Sequence, residues 1–402
     1  MGPAERSDVF DLRALLSPIV AEEFLRHDYG QRFLHVPGRP GKFSALLPWP
    51  VLNEILEEHR IEPPRLRLTR DGKPVPSEKW LRWQPNRRKS GSPIPRLNSM
   101  ALTRELREGA TLVLDNVDEL HRPVRRMAEA LERAFHVRVQ VNSYSGFRMS
   151  HGFDLHWDDH DVFILQVAGR KQWKVYGMTR RFPLASDVES AKARPAEVLW
   201  EGLLEDGDLL YIPRGWWHVA TPLDEPTLHL TVGVNNLTGA DFLSWFVNRM
   251  KAAEVVRQDL PLLAGAEALV EYGERLKAAV LEAWCPELVQ EYLSHMDTTA
   301  CARPSIALPW SATPAILPEG DFRVRWSGAR AARVSADGEG TVSVEALGRR
   351  WRFAAGARPL LDALVMGEEF GTGQIIAAAG LDARVVRALL RELAAEGLVA
   401  VT

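Results

Sequence analysis

Between Val137 and about Leu237 the chain is a succession of short alternating runs, VRVQVNSY, DVFILQVAG, KQWKVYG, DLLYIPRG and LHLTVGV, cut by Gly, Pro and Asp. Residues one apart on a strand face opposite sides, so a period of two with frequent breakers excludes long helices here and predicts an antiparallel barrel or jelly roll. About a hundred residues suffice for roughly eight such strands.

The flanks read differently. Residues 8 to 58 space their apolar residues three and four apart in FDLRALLSPIVAEEFLRHDYG and PWPVLNEILEEH, which predicts an N-terminal helical layer. From Glu62 to Ser99 the composition turns to Pro, Arg and Ser. RLRLTRDGKPVP carries a hairpin signal at Asp71-Gly72, and Arg87, Arg88 and Lys89 form a basic cluster that reads either as a solvated loop or as a substrate-contacting lid. A helix over about Leu120 to Phe135 follows the short strand ATLVLDN. From Ala240 to His295 two helices joined by a proline-bearing loop are predicted, to cover the barrel or pair with a second subunit. Beyond Asp321 come strand-like FRVRW and TVSVEA, then three helical stretches and a last strand, the order of a winged helix. Asp382 caps the last long helix, whose Val386, Leu389, Leu390 and Leu393 form one apolar face.

Composition narrows the function classes. With 402 residues, two or three domains of roughly 150 are expected. Hydrophobic residues at 46% and charged residues at 26% exclude a disordered chain, and no apolar run approaches the ~18 residues of a membrane span. The N-terminus MGPAERSDVF lacks a secretory pattern, so a cytoplasmic location is expected. Cys285 and Cys301 are too few for a disulfide framework or a thiolate cluster, which leaves His and carboxylates as metal ligands. A net charge of −3 gives no global attraction to nucleic acid. Residues 351–402 hold five Arg against six Asp or Glu, so DNA binding by the tail is not expected. Thirteen Trp against six Tyr point to pockets or sheet faces that need bulky filler.

The chemistry concentrates in HGFDLHWDDHDVFILQVAGRKQWKVYG and, 62 residues after His156, in IPRGWWHVA with His218. On one strand His156 and Asp158 would share a face, and His218 would join them from a neighbouring strand. Two imidazoles and one carboxylate on one face of an octahedron leave three positions open, which suits non-haem Fe(II). Competing ligands are His160, four residues from His156 and on the same predicted face, His151, which reads as a loop residue, and His229, which reads as a pocket or core residue. Trp157, Trp173, Trp216 and Trp217 read as core or as channel lining.

HWDDHDVFILQVAGRKQWKVYG with IPRGWWHVATPLDEPTLHLTVGV resembles the ribosomal-oxygenase group of Jumonji C (cupin-like) proteins, which are Fe(II)- and 2-oxoglutarate-dependent hydroxylases. The resemblance covers nearly the whole chain. It implies an α+β fold with a double-stranded β-helix core and N-terminal helices over 1–238, a helical dimerisation region over 239–318 and a C-terminal winged helix over 319–402, assembled as a homodimer. It implies that His156, Asp158 and His218 hold iron. Lys171, by itself an exposed hairpin residue beside Gly169 and Arg170, would pair with the distal carboxylate of 2-oxoglutarate. Asn142 and Tyr144, otherwise a turn amide and a packed strand residue, would line the same pocket. Dioxygen is the co-reactant. The substrate implied is a side chain of a protein or peptide, such as Arg or His in a ribosomal protein, or a peptide natural-product precursor. The segment from Asn142 to His156 lacks the proline-containing loop of the human relatives and places Arg148 and His151 near the entrance. Two other classes stay open: a cupin-type metal-dependent sugar isomerase, which would not need Lys171, and a non-catalytic peptide-binding or regulatory module.

Overall fold

The computed structural model describes residues 10–85, 93–187, 194–313, 318 and 320–401. They form two compact units that divide between Asn236 and Leu237. The basic cluster Arg87, Arg88 and Lys89 lies outside the described residues.

The first unit contains strands β1 (Leu34–Val36), β2 (Leu66–Arg70), β3 (Lys73–Pro74), β4 (Leu81–Gln84), β5 (Ile94–Leu97), β6 (Thr111–Leu114), β7 (Val139–Gly146), β8 (Asp161–Ala168), β9 (Lys171–Met178), β10 (Val198–Leu204), β11 (Leu209–Ile212), β12 (Trp216–Pro222) and β13 (Thr227–Val234). Its helices are α1 (Leu12–Leu16), α2 (Ala21–His27), α3 (Trp49–Glu58), α4 (Ser99–Arg107) and α5 (Arg122–Phe135). A major sheet runs β1-β11-β8-β13-β7-β6-β2-β3, and a minor sheet runs β10-β9-β12. All pairings are antiparallel, as the alternating runs predict.

Period-two alternation sorts the major sheet into two faces. Val139 and Val141 of β7, Phe163 and Leu165 of β8 and Leu228, Leu230, Val232 and Val234 of β13 are buried on the outer face. Phe163 there meets Phe24 of α2, Phe135 of α5 and Tyr211 of β11, with ring centroids 4.8–5.8 Å apart. The inner face carries Val162 and Ile164, which join Trp173, Val175, Leu204, Leu210, Ile212 and Trp216 in a core shared with the minor sheet. Burying a side chain of this size contributes about 1.5–3 kcal/mol, so this inter-sheet layer is what closes the barrel. The polar residues of the inner face, Gln140, Asn142 and Tyr144 on β7 and His229 and Thr231 on β13, are left to line a cavity.

Three expectations are corrected. The N-terminal layer is not wholly helical: Leu34-His35-Val36 forms β1, which pairs with β11 and extends the sheet. His156-Trp157-Asp158 is not a strand, because only His156 makes a bridge, to His218, and Asp158 lies in irregular chain. The segment after residue 239 holds four helices rather than two: α6 (Gly239–Met250), α7 (Glu254–Arg257), α8 (Ala266–Ala283) and α9 (Leu288–Thr299). Pro261 and Pro286, which cannot sit in a helix interior, separate the last three. The predicted hairpin is present, with Asp71 and Gly72 at φ 50° and 71°, the positive values a two-residue turn requires.

In the second unit, Phe242, Phe246, Met250, Leu288 and Tyr292 form the core of the helical part. The tail adds β14 (Arg323–Trp326), β15 (Arg333–Ala336), β16 (Thr341–Ala346), β17 (Arg349–Ala354), α10 (Arg358–Leu364), β18 (Glu369–Gly371), α11 (Thr372–Ala379), α12 (Ala383–Ala395) and β19 (Val399–Val401). Its sheets are β15-β16-β17 and β18-β14-β19. The Asp382 carboxylate accepts the Arg384 N–H at 2.8 Å, and Val386, Leu390 and Leu393 are buried, as the α12 pattern predicts. Among the described residues no helix is long and apolar enough to cross a membrane.

Candidate metal centre

Two backbone hydrogen bonds clamp the connection between β7 and β8 onto β12: His156 N–H donates to the His218 carbonyl at 3.2 Å, and His218 N–H to the His156 carbonyl at 2.7 Å. This pairing brings the two imidazoles to a centroid separation of 4.6 Å. Each ring donates its Nδ1–H to a carbonyl oxygen, His156 to Asp154 at 2.7 Å and His218 to Trp216 at 3.0 Å. Those bonds select the tautomer that leaves Nε2 as the lone-pair donor. Both Nε2 atoms face Asp158, at 3.9 Å from Oδ1 for His156 and 3.5 Å from Oδ2 for His218. The three ligand atoms lie within 4.8 Å of one another, the one such cluster of His, Cys, Asp and Glu among the described residues.

The electrostatics suit a divalent ion. Burial, and then the neighbouring His156, push the His218 imidazole down to about 4, so it presents an unprotonated nitrogen at neutral pH. Burial alone would raise the Asp158 carboxyl, but the His218, His156 and His160 imidazoles hold it below its ordinary value. Two imidazole nitrogens and one carboxylate on one side of a cavity fit an ion that keeps open positions, as non-haem Fe(II) does.

Neighbours outside the triad hold it in place. Gly215 N–H donates to the Asp158 carbonyl at 2.8 Å. The turn that carries Gly215 is tied by Asp161, which is fully buried and accepts the Arg214 N–H at 2.9 Å and the Tyr211 hydroxyl at 2.6 Å. On the other side, the Asp71-Gly72 turn packs against the loop that carries Asp154. Asp71 N–H donates to the His151 carbonyl at 2.9 Å, and the Ser150 hydroxyl donates to the Asp71 carboxylate at 2.9 Å.

The ligands open into a cavity of about 320 Å³. Lys171, at the start of β9, is among its lining residues and is only 5% exposed, not the surface hairpin residue that the local sequence suggests. No carboxylate among the described residues pairs with it, and burial pushes its amine down to about 7. Around it stand Trp173, whose ring centroid is 5.8 Å from Nζ, and His229, which stacks on Tyr144 at 4.9 Å and 3°. The Trp173 Nε1 and His229 Nδ1 are buried without a hydrogen-bond partner. Burial, with Asp158 and Asp115, raises the Tyr144 phenol, which stays a donor. Asn142 lines the cavity and also works as a turn amide, its Oδ1 accepting the Asn116 N–H at 2.9 Å.

The other candidates separate from the triad. His160 is bonded through Nδ1 to Asp159 at 2.9 Å and lines the cavity rather than joining the ligand cluster. His151 pairs with Asp154 at 3.1 Å, and Arg148 with Asp224 at 3.1 Å. Trp173 lines the cavity and Trp216 lies in the inter-sheet core, while Trp217 is buried and donates Nε1–H to Thr179 at 2.8 Å. Gln140, Phe153 and the braces Asp161 and Gly72 went unrecognised in the sequence. Gln140 was findable, since it shares the period-two face of Asn142 and Tyr144.

Two facing antiparallel sheets around a His-Asp-His cluster define a cupin-like metal barrel. Residues 117–242 match the JmjC domain family. The chain is similar to the bifunctional lysine-specific demethylase and histidyl-hydroxylase NO66 of Drosophila persimilis, 27% identical over 268 residues that cover 63% of this chain and 36% of that protein. It is 30% identical over 226 residues to ribosomal oxygenase 1 of Gallus gallus, covering 55% of this chain and 36% of the relative. The chain thus spans about a third of the length of these two relatives. Among solved structures, the ribosomal oxygenase YcfD of Escherichia coli matches with a TM-score of 0.59 at 19% identity, over 96% of this chain and 98% of that one. A YcfD complex with cobalt and 2-oxoglutarate matches with a TM-score of 0.58 at 21% identity. At under 25% identity this likeness is one of fold.

Proposed function

We propose that the chain is an Fe(II)- and 2-oxoglutarate-dependent oxygenase that hydroxylates an amino-acid side chain of a protein or peptide. The observation that carries this reading is Lys171, a buried amine with no carboxylate partner, in the same cavity as an open-sided His-Asp-His cluster. An unpaired buried ammonium is costly, and a bound carboxylate removes that cost. A cupin-type isomerase acting on an uncharged sugar would not need such a residue. The relatives' names, hydroxylase and ribosomal oxygenase, and the YcfD complex with cobalt and 2-oxoglutarate support the same chemistry.

In this reading His156, Asp158 and His218 hold the iron, and Lys171 holds the distal carboxylate of 2-oxoglutarate, helped by the Tyr144 hydroxyl and the Asn142 amide. When bound, the iron supplies the oxidising power that couples conversion of 2-oxoglutarate and dioxygen to succinate and carbon dioxide with insertion of one oxygen into a C–H bond. The chain's own part is placement. The Nδ1 bonds of His156 and His218 aim both imidazoles, Gly215 steadies Asp158, and the inter-sheet core with Trp173 keeps the inner end of the cavity dry. No general base is needed; Asp158 is the one carboxylate among the described residues that line the cavity.

A ribosomal protein is the leading substrate by likeness to ribosomal oxygenases, with a peptide natural-product precursor as the second candidate. The order α10, β18, α11, α12, β19 supports a winged helix over 319–402, and the five Arg against six acidic residues of 351–402 give no net basic charge there for nucleic acid. Leu262, Leu263 and Val270 are at least 68% exposed in the helical region, which supports a homodimer formed through 239–318. A cytoplasmic location suits a ribosomal substrate.

Succinate formation from 2-oxoglutarate with Fe(II) tests the reading: the wild type turns over, and His156→Ala and Asp158→Ala lose turnover by about 100-fold or more. Turnover retained in both variants refutes the ligand assignment. Sedimentation equilibrium tests the dimer.

A further inference from the structure

Alternation along β9 buries Lys171 and Trp173 and leaves Gln172 and Lys174 partly exposed. In the minor sheet Lys171 stands opposite Leu204 of β10 and Pro222 of β12, neither of which offers a charge. It lines the cavity with Trp173 and His229. Burial, and then the nearby Lys171, hold the His229 imidazole well below its ordinary value, so the two groups are close. The Trp173 indole nitrogen can only donate. Neither it nor His229 Nδ1 has a hydrogen-bond partner, a state that buried polar groups seldom keep. An amine, an indole N–H and an imidazole nitrogen that can carry a proton thus meet with no carboxylate among them. An anion carried by the amine itself would serve the other two.

We propose that, when no 2-oxoglutarate is bound, Lys171 takes up carbon dioxide as a carbamate, which sets a carboxylate-like anion against Trp173 and His229. The carbamate stands on this geometry alone; that it competes with 2-oxoglutarate rests on the oxygenase reading. The Nζ lone pair forms a bond to the carbon of carbon dioxide, one C–O π pair moves onto oxygen, and one Nζ proton leaves to water. Nothing is oxidised or reduced. An ordinary lysine resists this step because it is protonated at neutral pH, whereas burial lowers Lys171 to about 7 and leaves a large share of the amine with a free lone pair. The reach also fits. With amide-like bond lengths a carbamate oxygen stands about 2.3 Å from Nζ. An N–H···O bond adds about 2.9 Å, enough to meet the edge of an indole whose centroid is 5.8 Å from Nζ. The ammonium form, a donor facing a donor, cannot make that bond. Carbon dioxide is also a product of 2-oxoglutarate decarboxylation, so the cosubstrate and its own one-carbon product would compete for a single lysine.

The test is carbon-13 NMR of the full chain, loaded with diamagnetic Zn(II) and equilibrated with labelled bicarbonate at neutral pH. A carbamate resonance, distinct from those of bicarbonate and dissolved carbon dioxide, is expected in the wild type and absent from Lys171→Met. Trp173→Phe keeps a ring but removes the donor, and is expected to lower the intensity about threefold or more, the effect of one lost hydrogen bond. Saturating 2-oxoglutarate is expected to abolish the resonance. A carbamate signal of equal intensity in Lys171→Met comes from other amines and overturns the proposal. So does bound bicarbonate without a carbamate, or full intensity in Trp173→Phe. If Trp173→Phe fails to fold, the comparison with Lys171→Met decides alone. A Lys171 carbamate that persists in saturating 2-oxoglutarate supports the modification and overturns instead the placement of 2-oxoglutarate on this residue.

Discussion

The Nδ1–H of His156 donates to the carbonyl oxygen of Asp154 at 2.7 Å, so the aim of one metal ligand depends on a loop residue two positions earlier. That loop is seated by a distant hairpin: a Cβ on Gly72 would lie 2.4 Å from the Asp154 carboxyl, and Gly72 has φ +71°. Gly72→Ala is expected to shift Asp154 and weaken metal binding by roughly 10–100-fold, the range for partners that orient metal-binding imidazoles. Adding Asp154→Ala removes the colliding carboxyl, keeps the carbonyl and should recover most of the affinity. Co(II) titration of the single and double variants measures both effects. An unaltered affinity in Gly72→Ala would show that the hairpin does not brace the centre.

Lys171 ties stability to pH. Its amine is lowered to about 7 in the folded chain from 10.5 when unfolded. Between those values the unfolded chain binds a proton that the folded chain has released, so this residue makes stability rise with pH from about 7 to about 10.5. Lys171→Met is expected to remove that slope and to be more stable than the wild type at pH 6 by on the order of 2–4 kcal/mol, while 2-oxoglutarate binding is lost. Urea unfolding of both proteins across this pH range isolates the difference.

Asp161→Ala should be among the more damaging substitutions in the first unit. It leaves the buried Tyr211 hydroxyl and the Arg214 N–H without their shared acceptor, at a cost of about 2–4 kcal/mol. Because the same turn carries Gly215, Co(II) affinity should fall as well. Chemical denaturation and metal titration of this variant check the two consequences separately.

In the second unit, Leu390→Ala empties a fully buried position on α12 and should cost about 2–5 kcal/mol, whereas Asp382→Ala loses one helix cap and about 1 kcal/mol. Thermal unfolding followed by circular dichroism ranks them. Neither residue is among those that line the metal cavity, so Co(II) affinity should stay at the wild-type value.

Legibility differed between elements for physical reasons. β7, β9 and β13 were readable because polar and apolar residues alternate along them, β8 because it is a short apolar run between Asp161 and Gly169, and α12 because its apolar stripe follows an Asp cap. β1 was missed because three residues carry almost no periodic signal, and its pairing with β11 is a tertiary event. His156 and Asp158 belong together, but through a single-residue bridge rather than a strand, since the pairing of His156 with His218 and the bond from Gly215 to Asp158 do what a regular ladder would otherwise do. The four helices after residue 239 were read as two because the apolar spacing continues on either side of Pro261 and Pro286.

From residue chemistry alone came the barrel, the candidate ligands His156, Asp158 and His218, and the exclusion of thiolate metal sites. Those features depend on side-chain type and on period, which are local properties of the chain. What only the tertiary structure decided is that Lys171 is buried and unpaired beside Trp173 and His229, and that Asp154 and Asp161 hold the centre in place. Burial and hydrogen-bond partners are set by segments far apart in the chain, and no local pattern encodes which of them meet.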